Sequence, residues 1–232
     1  MTDNKRALVV RGGWDGHEPV QTTDSVIPFL ERAGYDVRVE ETTAVYADRD
    51  TMAAIDLIVQ INTMTTIADA ELAGLIKAVV DGTGLAGWHG GIADSYRNSA
   101  DYLQLIGGQF AHHAGIAPED RVGEQSDNYL DFTVNIAPDR RDHPIVAGID
   151  DFELHTEQYW VLSDAYNDVL ATTEIVHRDF DAWHHSFPSP VVWTRLWGAG
   201  RIFVCTAGHK LDVLDHPQVR TIVERGLLWA SR

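Results

Sequence analysis

The sequence predicts an α/β fold: a flavodoxin-like, doubly wound and mainly parallel sheet with additional strands in its C-terminal half. Three observations lead there. Short apolar runs alternate with helical patterns through the first half of the chain, which implies parallel strands joined by helical crossovers. Those runs are continuously apolar, as in strands covered on both faces. Right-handed crossovers then favour the doubly wound topology.

Each element follows from its local pattern. Lys5–Arg11 is an apolar run that stops at Gly12-Gly13 and reads as the first strand. Val20–Ala33 carries Val26, Ile27, Leu30 and Ala33 at helical spacing and is closed by Gly34. Tyr35–Glu41 alternates, and Ile55–Ile61 is a third strand. Ala68–Val80 places Leu72, Leu75, Ile76, Val79 and Val80 on one helical face. Leu85–Trp88 is a fourth strand and Ala93–Ile106 reads as one helix. In the second half, Asp131–Ile136 and part of Val169–Val176 alternate. Val191–Trp197 and Arg201–Thr206 flank Gly198-Ala199-Gly200 as a hairpin. His216–Ser231 is a final helix with Pro217 in its first turn. The whole of residues 1–232 is read as one domain.

Composition narrows the function. The formal charge of −17 repels phosphate backbones and anionic lipid, so neither nucleic acid nor a membrane surface is an expected partner. No apolar run approaches the ~20 residues of a membrane span. Ala7–Val10 is too short for the apolar core of a signal peptide, and a cytoplasmic protein is expected. The single cysteine, Cys205, lies in an apolar strand and should be buried and inert. The run Arg11–Gly16 lacks the Lys-Ser/Thr of a phosphate loop and the glycine spacing of a dinucleotide fingerprint, so no nucleotide cofactor is expected.

Ligands of open α/β sheets bind beyond the carboxyl ends of the strands. Three of the eleven histidines fall there, each near glycine: His17, His89 and His209. Asn62 follows the third strand. Gly87-Trp88-His89-Gly90-Gly91 has the layout of a nucleophile elbow with histidine in place of serine or cysteine, which argues against acyl-enzyme chemistry. If Phe152–Trp160 is extended, Glu153, His155, Glu157 and Tyr159 share one face and could do acid–base work or hold a metal. Gly107 is expected to end a helix and leave His112 solvated. Aromatic faces pack against sugar C–H faces while polar neighbours bind hydroxyls, which makes Trp14, Trp88, Trp183 and His184 candidate substrate contacts.

Taken together, these residues resemble the trehalose-utilisation (ThuA-like) family. The matching pieces are Gly87–Gly91, Gly107-Gly108-Gln109-Phe110 with His113, His143-Pro144-Ile145, Glu157-Gln158-Tyr159, Pro190–Trp193, Gly198–Phe203 running on to Gly208-His209, and Leu228-Trp229-Ala230. The resemblance implies a fold similar to class I glutamine amidotransferases, with His89 where those enzymes carry cysteine, so glutaminase activity is not expected. It implies sugar catabolism, notably of disaccharides oxidised to 3-keto forms, and a site lined by His17, His89, His113, Glu157 and His209.

The expected function is therefore a carbohydrate-processing enzyme, a hydrolase, lyase or isomerase, acting on a keto-sugar or 3-keto-glycoside. Its acid–base groups are His89, Glu157, His209 and His17, with Asn62, Tyr159 and the aromatic residues above as substrate contacts. His89, His113, Glu157 and His209 could hold a divalent metal, zinc first, or form a metal-free hydrogen-bonded cluster. The alternatives are a non-catalytic sugar-binding or regulatory module using the same pocket, and an interaction protein whose tryptophans form an oligomer face. A homo-oligomer is expected in any of these cases.

Overall fold

A computed structural model describes residues 4–117 and 128–232. Eleven strands are described: β1 Lys5–Gly13, β2 Tyr35–Glu40, β3 Leu57–Thr63, β4 Gly84–Trp88, β5 Gly108–His112, β6 Tyr129–Ile136, β7 Phe152–Glu157, β8 Trp160–Ser163, β9 Asp168–Ile175, β10 Phe187–Trp197 and β11 Gly200–Cys205. The helices are α1 Pro19–Arg32, α2 Arg49–Ala53, α3 Asp69–Val80, α4 Gly90–Ala93, α5 Ala100–Ile106, α6 Leu211–Leu214 and α7 Pro217–Ala230. No helix among the described residues is long and apolar enough to cross a membrane.

Nine strands form one sheet in the order β2-β1-β3-β4-β11-β10-β9-β6-β7, while β5 and β8 make a separate two-stranded ribbon. The first five are mutually parallel, with β11 in the fifth position of the flavodoxin-like order. The next four are antiparallel, which is the expected extension of the sheet. Strand alternation sends Ala7, Val9, Leu57 and Val59 to one face, under α1 and α7. It sends Leu8, Val10 and Ile58 to the other, under α3 and α5. The sheet is thus covered on both sides, which is why its strands are apolar throughout.

The structure departs from the sequence reading in three places. Residues 93–106 are not one helix, because α4 ends at Ala93 and α5 begins at Ala100. Between them the carbonyls of Asp94 and Ser95 accept from Met64 and Thr65 N–H, and the Ser99 hydroxyl caps α5. The residues after Gly107 are not a solvated tail, because they form β5. Strand β10 begins at Phe187, inside the segment expected to be a loop, in spite of Pro188 and Pro190. That stretch pairs with β9 alone, and β11 joins only from Val192, so neither proline interrupts a ladder on both sides.

Candidate active site

Four neighbouring parallel strands deliver their exits to one place. β1 leads to His17 in the turn Asp15–His17, β3 ends on Thr63, β4 leads to His89, and β11 leads to His209. The acidic partner comes from farther away. β6 pairs with β9 only at Asn135–Thr172 and Ile136–Ala171. Beyond those pairs the β6–β7 ribbon is free to leave the sheet, and its far end, where Tyr129 opposes Glu157, returns to the histidines. In Glu157-Gln158-Tyr159 the outer two side chains reach the centre. The middle one pins the segment to β9, its amide donating to Thr173 Oγ1 (2.7 Å) and to the Glu174 carbonyl (3.1 Å).

His89 occupies a strained elbow. Its φ of 47° and ψ of −141° are unfavourable for a residue with a Cβ. The glycines around it are a steric requirement. A Cβ on Gly91 would lie 2.7 Å from the Ile61 Cα, and one on Gly90 would lie 2.5 Å from the His17 ring. A buried polar network holds α4 from behind. Gln60 donates to Tyr102 Oη and Ser95 Oγ, which donate in turn to the Ile92 and Gly91 carbonyls.

At the centre, Glu157 Oε2 lies 3.2 Å from His89 Nε2, 3.1 Å from His209 Nδ1 and 3.9 Å from His17 Nε2. His89 Nε2 is also 3.0 Å from His209 Nδ1 and 2.8 Å from Tyr159 Oη. The second carboxylate oxygen, Oε1, accepts from Asn128 N–H (3.2 Å) and faces His113 Nε2 at 3.6 Å. His89 donates its Nδ1–H to the Thr206 carbonyl (2.7 Å), and His17 Nδ1 meets Thr63 Oγ1 (3.0 Å). A carbonyl only accepts, so the proton of neutral His89 is on Nδ1 and its Nε2 carries a lone pair.

Burial dominates the electrostatics. It holds His17 at about 2, helped by repulsion from His89 and His209, and holds His113 at about 4 against the pull of Glu157. His89 is lowered by the same cause, opposed by the hydrogen bond that its protonated form donates to Glu157. Burial alone would raise the Glu157 carboxyl, but hydrogen bonding to His209 and, when its Nε2 is protonated, to His89, followed by attraction to His89 and His113, outweighs it and holds the group below the usual carboxylate range. Burial, then Glu157, push the Tyr159 phenol well above its ordinary value. Cys205 is buried in β11 with its thiol pushed up to about 12.

These shifts make the metal-free protein acid-sensitive. Below about pH 6.5 the unfolded chain protonates the two histidines while the native state resists, down to about 4 for His113 and about 2 for His17. Native stability is therefore greatest above pH 6.5 and falls as pH drops through that window. Urea midpoints measured from pH 7.5 to 4.5 are expected to fall, less steeply for His113→Gln. Equal slopes in the two proteins would contradict the account for His113.

The structure brings His17, His89, Glu157, His209 and Tyr159 together and sets Trp14 at their edge, its ring 4.7 Å from His17. The face expected to carry Glu153, His155, Glu157 and Tyr159 divides. The first two are exposed, and His155 pairs with Asp131 at the surface. Four side chains bring ligand atoms within 4.8 Å of one another: His17, His89, Glu157 and His209. His17 thus takes the place expected for His113, which stays on the outer carboxylate oxygen.

The other expected substrate contacts have varied surroundings. Trp88 is in the apolar core, because strand alternation turns it beneath the sheet. Asn62 is buried and accepts from Thr65 Oγ1. Trp183 packs against Trp160 and His112, so His112 is not simply solvated, and His184 is exposed. Sequence reading missed Tyr129, whose ring lies 5.4 Å from His209, and named Phe110 only within the motif Gly107–Phe110, without its packing on both Tyr159 and His113. No local pattern marks Tyr129.

Fold and centre together define a flavodoxin-like α/β protein with a buried imidazole–carboxylate site above the carboxyl ends of its parallel strands. The chain belongs to the ThuA family, described as trehalose utilisation, which matches residues 6–230. Membership links it to sugar metabolism. Among solved structures it is similar to a ThuA-like protein from Bacteroides uniformis ATCC 8492, with a TM-score of 0.71, 15% identity, and coverage of 97% of this chain and 91% of that one. A ThuA-like protein from Parabacteroides merdae ATCC 43184 gives 0.71, 15%, 98% and 90%. A cytoplasmic protein from Salmonella typhimurium LT2 gives 0.64, 14%, 98% and 100%. At these identities the likeness is one of fold. No curated protein sequence matches the chain.

Proposed function

We propose that this protein is a carbohydrate-processing enzyme acting on a keto-sugar or 3-keto-glycoside by acid–base chemistry. The observation that carries the reading is a buried carboxylate, Glu157, ringed by imidazoles at the strand ends where α/β folds bind small molecules. A ketone acidifies the C–H bond beside it. Glu157 Oε1, turned away from His89 and toward His113, is placed to take that proton. His113 is the more open of the imidazoles around Glu157, at 21% side-chain exposure, and is placed to pass a proton to a departing oxygen.

The donor set also fits a divalent metal. Tetrahedral zinc with bonds of 2.0–2.1 Å sets its ligand atoms about 3.3 Å apart. His89 Nε2, His209 Nδ1 and Glu157 Oε2 stand 3.0–3.2 Å apart, with His17 Nε2 somewhat farther out. The remote nitrogens of His17 and His89 are held by Thr63 and the Thr206 carbonyl, as ligating imidazoles usually are. These four residues would hold the ion. When bound, it supplies positive charge to polarise a sugar carbonyl. The reading includes a cytoplasmic location, supported by the description of the Salmonella neighbour.

Turnover of 3-keto-trehalose and other 3-keto-glucosides, before and after chelation, tests the proposal. Product is expected, lost with the chelator and restored by zinc. A folded, zinc-supplemented protein that converts no keto-sugar rejects the enzymatic reading.

A further inference from the structure

We infer that the Tyr159 hydroxyl is a hydrogen-bond donor to the reacting sugar oxygen, held in reserve by His89 and released when a cation takes His89 Nε2. The inference rests on the reading above and adds a residue to it.

The geometry is local. Tyr159 Oη lies 2.8 Å from His89 Nε2. The Nδ1–H of His89 is committed to the Thr206 carbonyl, so Nε2 offers a lone pair and the phenol is the donor. A lone pair that binds a cation no longer accepts a hydrogen bond, so one excludes the other. The Tyr159 ring is fixed meanwhile. It packs on His89 at 4.2 Å and on Phe110 at 4.5 Å, and its own carbonyl accepts from Ser189 Oγ. What remains free is rotation of the O–H about the C–O bond, which turns the hydrogen from Nε2 toward an oxygen at the centre.

The step is balanced without Tyr159 exchanging an atom. The C–H bond beside the ketone breaks and its proton goes to the base. Its electron pair becomes the C=C bond, and the carbonyl π pair moves onto oxygen. Tyr159 keeps its proton and donates a hydrogen bond to that oxygen as charge develops, as oxyanion donors do.

The test is Tyr159→Phe, which keeps the ring and its packing. Two quantities are read on the full-length protein: kcat and KM on a 3-keto-glucoside with zinc present, and Zn²⁺ affinity by competition with a chromophoric chelator. Turnover is expected to fall by at least about 100-fold with KM changed less than about threefold. Zinc is expected to bind about three- to tenfold tighter, because the hydrogen bond from Tyr159 no longer competes for Nε2. A kcat within threefold of wild type overturns the inference. So does unchanged or weaker zinc binding, or a wild-type protein that binds no zinc. Wild-type protein that binds zinc but converts no keto-sugar defeats the functional reading instead, and the zinc comparison alone then decides whether Tyr159 is released.

Discussion

Glu157→Gln is expected to lower turnover of 3-keto-glucosides by at least about 10³-fold and zinc affinity by at least about 100-fold, while the metal-free protein stays folded. The carboxylate is the common neighbour of four imidazoles, three on Oε2 and one on Oε1. Glutamine keeps the volume and can still accept from Asn128 N–H. Its amide nitrogen is no base and no ligand. In the metal-free state the substitution also removes a buried charge, which offsets the lost contacts. Steady-state kinetics, zinc competition and circular dichroism check the three parts. A variant that unfolds would make Glu157 a structural keystone. A variant with wild-type turnover would remove it from the chemistry.

Gly91→Ala is expected to cost about 3 kcal/mol, or roughly 6–12 °C in melting temperature for a chain of this size. The added methyl would meet the Ile61 Cα at 2.7 Å and Cγ2 at 2.8 Å. Neither α4 nor β3 can yield cheaply, because β3 lies between β1 and β4, paired to β1 through Ile61 and to β4 just before it at Leu57–Val59. Gly90→Ala offers the contrast. Its methyl meets the His17 ring, a side chain that can swing away. It should destabilise less and weaken zinc binding instead. Thermal melts of both variants separate the two effects, and equal melting temperatures would contradict the assignment of the Gly91 contact to backbone.

Much of this was legible locally. Apolar runs ending in glycine mark β1 and β4, and the helical spacing of Val219, Ile222, Val223 and Leu227 marks α7. The elbow was legible too, because a histidine between strand and glycines has few other geometries open to it. Strand β5 was not, since its pairing partner β8 lies some fifty residues on and Gly107-Gly108 reads equally well as a helix end. Trp183 is a substrate candidate on its chemistry alone, and nothing in its sequence neighbours reveals that it packs on Trp160.

By itself the sequence determined the four N-terminal parallel strands, the helices α1, α3 and α7 and the three histidines at strand exits, because backbone periodicity and glycine turns are properties of neighbouring residues. Tertiary structure decided which of those histidines share a carboxylate. His89 lies 68 residues from Glu157 and 120 from His209, and their meeting depends on strand order and on a ribbon that parts from β9 after two pairs. It also chose His17 over His113 for the inner cluster and sent Trp88 into the core, since which face a side chain occupies is settled only when the layers pack.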